Sequence, residues 1–128
     1  MDPIVSKVDL EAACSQSRAF VFLWVCWSGQ ARHSEVAVNK LLKAWTNESL
    51  DTDAQAYRAD ISEPESESWS TIDQWLRAQQ QRLTDFGGNG ELLWVRSGKV
   101  VAVAANVARF EHDELMAMTR NAFGAGIN

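Results

Sequence analysis

Basic residues, cysteines and long apolar runs are all scarce in this sequence, and each scarcity removes a class of protein. Twelve Lys and Arg stand against 17 Asp and Glu, a formal charge of −5, so the net field repels phosphates and nucleic-acid binding is not expected. Only two cysteines occur, Cys14 and Cys26, too few for a disulfide-framed miniature or a cysteine-rich zinc domain. The longest apolar stretch, Ala19 to Trp27, is about half of the roughly 20 residues that a membrane-spanning helix needs, so no membrane partner is expected. Met1-Asp2-Pro3-Ile4-Val5 shows no basic patch leading into an apolar segment, so a cytoplasmic, reducing setting with free thiols is the expectation. Gly87-Gly88-Asn89-Gly90 precedes a strand-like run and not a helix, so it reads as a turn and not as a phosphate cradle. His33 and His112 lack any cysteine or carboxylate at ligand spacing, and neither a metal site nor a cofactor is expected.

What is present is a core. With 46% hydrophobic and 23% charged residues in 128, the chain reads as one packed domain over 1–128. Asp9 is placed to cap a short helix reaching Ser15. Ala19 to Trp27 is β-branched and aromatic without polar alternation, which suits a central strand covered on both faces. After Ser28-Gly29, Val38, Leu41, Leu42 and Trp45 recur at helical spacing. A polar loop is expected from Thr46 to Asp53, then a second, parallel strand from Ala54 to Ile61. Residues 62–68, with Glu63, Glu65 and Glu67, read as a hydrated acidic loop, a site for a basic partner being the alternative. Ile72, Trp75, Leu76 and Leu83 predict a helix from Trp69 to Leu83, closed by the glycine cluster. Leu92–Val95 and Val100–Val103 flank Arg96-Ser97-Gly98-Lys99 as a hairpin. Leu115, Met118 and Ala122 share a side of a last helix, which His112 begins and Gly124 stops.

A parallel β-α-β unit followed by an antiparallel hairpin demands an α/β fold, a central mixed sheet flanked by helices on both faces. This order, together with Phe22-Leu23-Trp24-Val25-Cys26-Trp27-Ser28-Gly29-Gln30-Ala31-Arg32, resembles the thioredoxin family, whose corresponding turn reads F-W-A-x-W-C-G-P-C-K. Trp24, Trp27, Gly29 and Arg32 match that motif, and Leu92 to Val100 is similar to the family's T-L-L-L-F-K-N-G-x-V hairpin. The resemblance spans roughly residues 8–123 on element order.

Several parts the resemblance calls for are replaced. Dithiol exchange needs a thiolate at the helix N-terminus and a second thiol one turn on; the aligned residues are Ser28 and Ala31. The proline between them is Gln30, the buried strand aspartate aligns with Phe22, and the cis-proline before the hairpin with Gly90. The resemblance therefore implies a thioredoxin-like domain without dithiol oxidoreductase activity, an adaptor for an unidentified protein or peptide. Its contact surface is expected at Trp27, Ser28, Gly29, Gln30, Asn89 and Gly90. In the family the backbone before the hairpin pairs with a bound strand, and glycine leaves that backbone freer.

Three rival readings use the same turn. Cys26 as a monothiol, with glutathione as the second thiol, makes the chain a redox protein or sensor; the plainer reading is a small hydrophobe closing the apolar run. Ser28, His33 and Asp60 as a hydrolytic triad lack a nucleophile-elbow motif. A serine-type glutathione transferase needs a further helical domain. Trp24, Trp45, Trp75 and Trp94 are expected in packing positions, whereas Trp27 is either a binding shelf or one more packing residue.

Overall fold

The computed structural model describes residues 1–49 and 54–124. Five strands form one mixed sheet in the order β1-β3-β2-β4-β5: β1 Asp2–Pro3, β2 Arg18–Trp24, β3 Gln55–Asp60, β4 Glu91–Arg96 and β5 Lys99–Ala104. β2 pairs parallel with β3 and antiparallel with β4, and β4 pairs antiparallel with β5. Its unbroken apolar run is explained by this central position, because neither face of β2 meets water. β1 is an addition to the expected set, two residues set parallel against Tyr57 and Arg58.

Helices α1 (Lys7–Cys14) and α3 (Glu67–Arg77) bring Leu10, Ile72 and Leu76 to one face of the sheet, against Val21, Leu23 and Leu93. Helices α2 (Gly29–Ser49) and α4 (His112–Phe123) bring Val38, Leu41, Leu115 and Phe123 to the other, against Phe20, Phe22 and Trp94. Phe22, where the resemblance expects an aspartate, is a fully buried part of this second core.

Several boundaries differ from expectation, each for a local reason. Ser6 caps α1; Asp9 is the reciprocal member of a capping box, its carboxylate accepting the Ser6 N–H at 3.2 Å. α2 runs through Thr46 to Ser49, and the rest of the expected loop, residues 50–53, lies outside the described residues. α3 ends at Arg77, not Leu83: Gln80 turns left-handed at φ 63°, and Leu76 O and Arg77 O accept from Gln81 N and Gln80 N, a Schellman closure without glycine. Leu83 still reaches the core, from a short 3-10 turn at Leu83–Asp85. In the last helix Met116, Thr119 and Phe123 are buried and Met118 only partly so, and Gly124 closes the helix with a right-handed φ of −66°. The hairpin stands as expected, with positive φ at both Ser97 and Gly98.

Candidate functional site

The site is built where β2 hands over to α2. The strand stops at Trp24, whose carbonyl accepts from Ile61 N at 2.9 Å. Cys26 and Trp27 then turn outward and Ser28 inward. Cys26 N donates to Ser62 Oγ at 2.7 Å, and Trp27 Nε1 donates to the Ser62 carbonyl at 3.4 Å. Ser28 Oγ accepts the Ala31 N–H at 3.1 Å, satisfying one of the donors that a helix N-terminus leaves free. Arg32 closes over the turn, donating to the Cys26 carbonyl at 3.3 Å.

The plainer reading of Cys26 fails here, since the strand ends two residues earlier and the side chain is exposed. Cys14 is partly buried against Gly98, and burial, seconded by the charge of Glu11, raises its thiol pKa. The triad is not assembled: Asp60 is taken by Ser62 N and Oγ, and among the described residues no hydrogen bond joins His33 to Ser28 or Asp60.

The facing loop has two halves. Gly88, at φ +73°, lies so close to Trp27 that a Cβ there would be 3.0 Å from the indole edge. Gly90 has φ +86° in a chain whose described peptide bonds are all trans, and a Cβ on it would fall 2.4 Å from Ser34 Cβ. Where the resemblance places a proline, this chain has a glycine that a left-handed backbone and a crowded helix face require. Fully buried Ser34 donates from Oγ to the Asn89 carbonyl at 2.8 Å and accepts the Ala108 N–H at 3.2 Å. Asn89 N donates to Glu91 Oε2 at 3.0 Å, Val107 N to the Gly90 carbonyl at 3.3 Å, and Gln30 Nε2 to Asn106 Oδ1 at 3.0 Å. Contrary to the freer backbone expected from glycine, both polar groups of Asn89 are already spoken for by the chain's own side chains.

Glu91 itself is fully buried, and its Oε1 has no hydrogen-bond partner. Burial raises its carboxyl pKa, opposed by the N–H groups of Asn89, Gly88 and its own residue.

Of the expected contact residues, Trp27 is 68% exposed and Gly29 is also open, Gln30 and Asn89 are half-buried, and Ser28 and Gly90 are buried. Trp27 is therefore not a packing residue. The contacts just described tie Asn89 and Gly90 to Ser34 of α2, the helix that Ser28, Gly29 and Gln30 begin, and set Trp27 against Gly88. Beside it lies a groove of about 190 Å³ between the acidic loop and residues 83–88, lined by Val25, Trp27, Ile61, Trp69, Leu83 and Phe86. Sequence reasoning missed Ser34, Asn106, Glu91 and this groove. Only Glu91 left a trace, as a lone charge between a glycine cluster and an apolar strand.

Among the described residues no three of His, Cys, Asp and Glu gather as a metal set, and no helix is long and apolar enough to cross a membrane. No family model matches the chain, and no curated protein matches it by sequence. Solved structures do. The thioredoxin of Fasciola hepatica superimposes with a TM-score of 0.63 at 13% identity, covering 95% of this chain and 99% of its own. Thioredoxin f2 of Chlamydomonas reinhardtii gives 0.62 at 13% identity over 96% of both chains. Oxidised thioredoxin O2 of Arabidopsis thaliana gives 0.57 at 13%, over 94% of this chain and 91% of its own. Strand order, helix placement and these superpositions agree: the chain has the thioredoxin-like fold.

Proposed function

We propose that this thioredoxin-like domain is a redox-inactive binding module that holds a protein or peptide against Trp27. The observation carrying the reading is the start of α2, where the resemblance places two thiols and this chain has a buried Ser28 hydroxyl capping Ala31 N–H. An alcohol committed to a helix cap and an alanine methyl have no disulfide chemistry. Beside them an indole stands 68% exposed, a larger apolar surface than the turn needs for packing. Free Cys14 and Cys26 suit a reducing, cytoplasmic setting.

Insulin reduction with dithiothreitol or thioredoxin reductase as electron source tests the reading. The expected rate equals that of buffer, and clear turnover overturns it.

A second reading draws on the exposure of Cys26, a monothiol that forms a mixed disulfide with glutathione. Alkylation is expected to modify Cys26 before Cys14, whose thiolate is disfavoured by burial and by Glu11. Rapid alkylation of Cys26 below neutral pH, with a stable glutathione adduct, favours the monothiol; slow alkylation and no adduct favour the binding module.

A further inference from the structure

The Asn89 N–H cannot donate to a partner strand without first losing Glu91, and the carbonyl beside it already accepts from Ser34. A ligand is therefore held mainly by side chains, and the groove on the other side of Trp27 is where they fit. Its volume of about 190 Å³ lies below the roughly 300–1,000 Å³ of small-molecule pockets, so it suits one bulky side chain better than a cofactor.

The chain bordering it is strongly one-sided in charge. Residues 60–69 carry Asp60, Glu63, Glu65 and Glu67 and no base, four acids in a protein whose whole surplus is five. All four are exposed. Among the described residues the Asp60 carboxylate is engaged by the neutral Ser62. The ion pairs Arg58–Glu35 and Arg77–Asp73 involve none of the four, and Arg32, at the turn, donates to the neutral Cys26 carbonyl. Exposed like charges with no opposite charge among them raise the local potential for a cationic ligand.

We propose that the groove takes an apolar side chain of an extended peptide whose flanking residues are Lys or Arg, the glutamates at 63, 65 and 67 selecting for the basic flanks. This rests on the binding-module reading and names its partner class. Three fluorescein-labelled peptides with a central leucine, flanked on each side by two lysines, two serines or two glutamates, test it by fluorescence polarisation. The lysine peptide is expected to bind at least about tenfold more tightly than the glutamate peptide at low salt, the sum of several modest exposed charge pairs. That preference should shrink as salt shortens the screening length. Trp27→Ala should weaken all three, whereas the triple variant E63Q/E65Q/E67Q, verified as folded by circular dichroism, should bind all three alike. Equal affinities in the wild type, a preference that survives the triple substitution, or no binding of the lysine peptide overturns the inference. Turnover in the insulin assay overturns the redox-inactive reading and leaves the charge preference to be judged on its own.

Discussion

The two halves of the loop from Gly87 to Gly90 are neighbours in sequence and opposites in structure. Gly87 and Gly88 border the open apolar groove. Asn89 and Gly90 are clamped, with Ser34 on the Asn89 carbonyl, Glu91 on its N–H and Val107 on the Gly90 carbonyl. In the clamped half the chain answers its own backbone, which closes the route by which an added strand would bind. In the open half it leaves apolar side chains and an indole without a cover. On the proposed reading, recognition moves from backbone to side chains, where charge and shape would decide the partner.

Substitution at Gly90 should break the clamped half most severely. Gly90→Ala is expected to cost about 3 kcal/mol or more, combining a strained positive φ with overpacking against Ser34. A urea melt reads this directly, and a midpoint equal to wild type refutes the clamp. Ser34→Ala keeps the backbone but strips partners from the Asn89 carbonyl and the Ala108 N–H. A loss of roughly 1–3 kcal/mol is expected for buried groups left unpaired.

Glu91 sharpens the comparison with the opposite sign. Its folded pKa is raised, so the native state holds the proton more tightly than the unfolded chain. Its contribution is most favourable below the unfolded carboxylate value of about 4.3 and is lost as pH rises through the higher folded value. Glu91→Gln is therefore expected to raise stability at neutral pH, with the gain fading as pH falls toward the unfolded carboxylate value of about 4.3. Melts at the two pH values check it; a gain that is constant with pH, or a loss, contradicts the assignment. In the open half, Trp27→Ala should change stability by less than about 0.5 kcal/mol, as exposed sites do. On the proposed reading its effect falls on binding, so a large loss of stability would return Trp27 to the packing role.

Much of this architecture was legible in one dimension. The apolar run 19–27 predicted a doubly covered strand and the spacing of Val38, Leu41 and Trp45 a helix on it; both stand, with the strand ending at Trp24. Ser97-Gly98 announced the hairpin through turn chemistry alone. The end of α3 was misread because Leu83 continues the apolar period of Ile72 and Leu76, and periodicity records only which side chains are buried, not the path between them. Of the two readings of Cys26, the small hydrophobe is at odds with the exposed side chain for a related reason: an apolar run does not mark the residue where a strand loses its partner.

The candidate site was legible in what it lacks. Ser28, Ala31, Gln30 and Gly90 are local identities, and the absence of a thiol pair at that turn needs no coordinates. Which atoms replace the missing parts is a different kind of fact. Ser34 meets Asn89 across 55 residues and Ala108 across 74, and Trp27 meets Ser62 across 35. The sequence by itself determined the main elements, their order and the absence of a thiol pair at the turn, since propensity, periodicity and residue identity act over a few positions. Only the tertiary structure decided that the Asn89 backbone is closed and the groove beside Trp27 open, since hydrogen bonds and hollows between distant segments exist only once the sheet has aligned them.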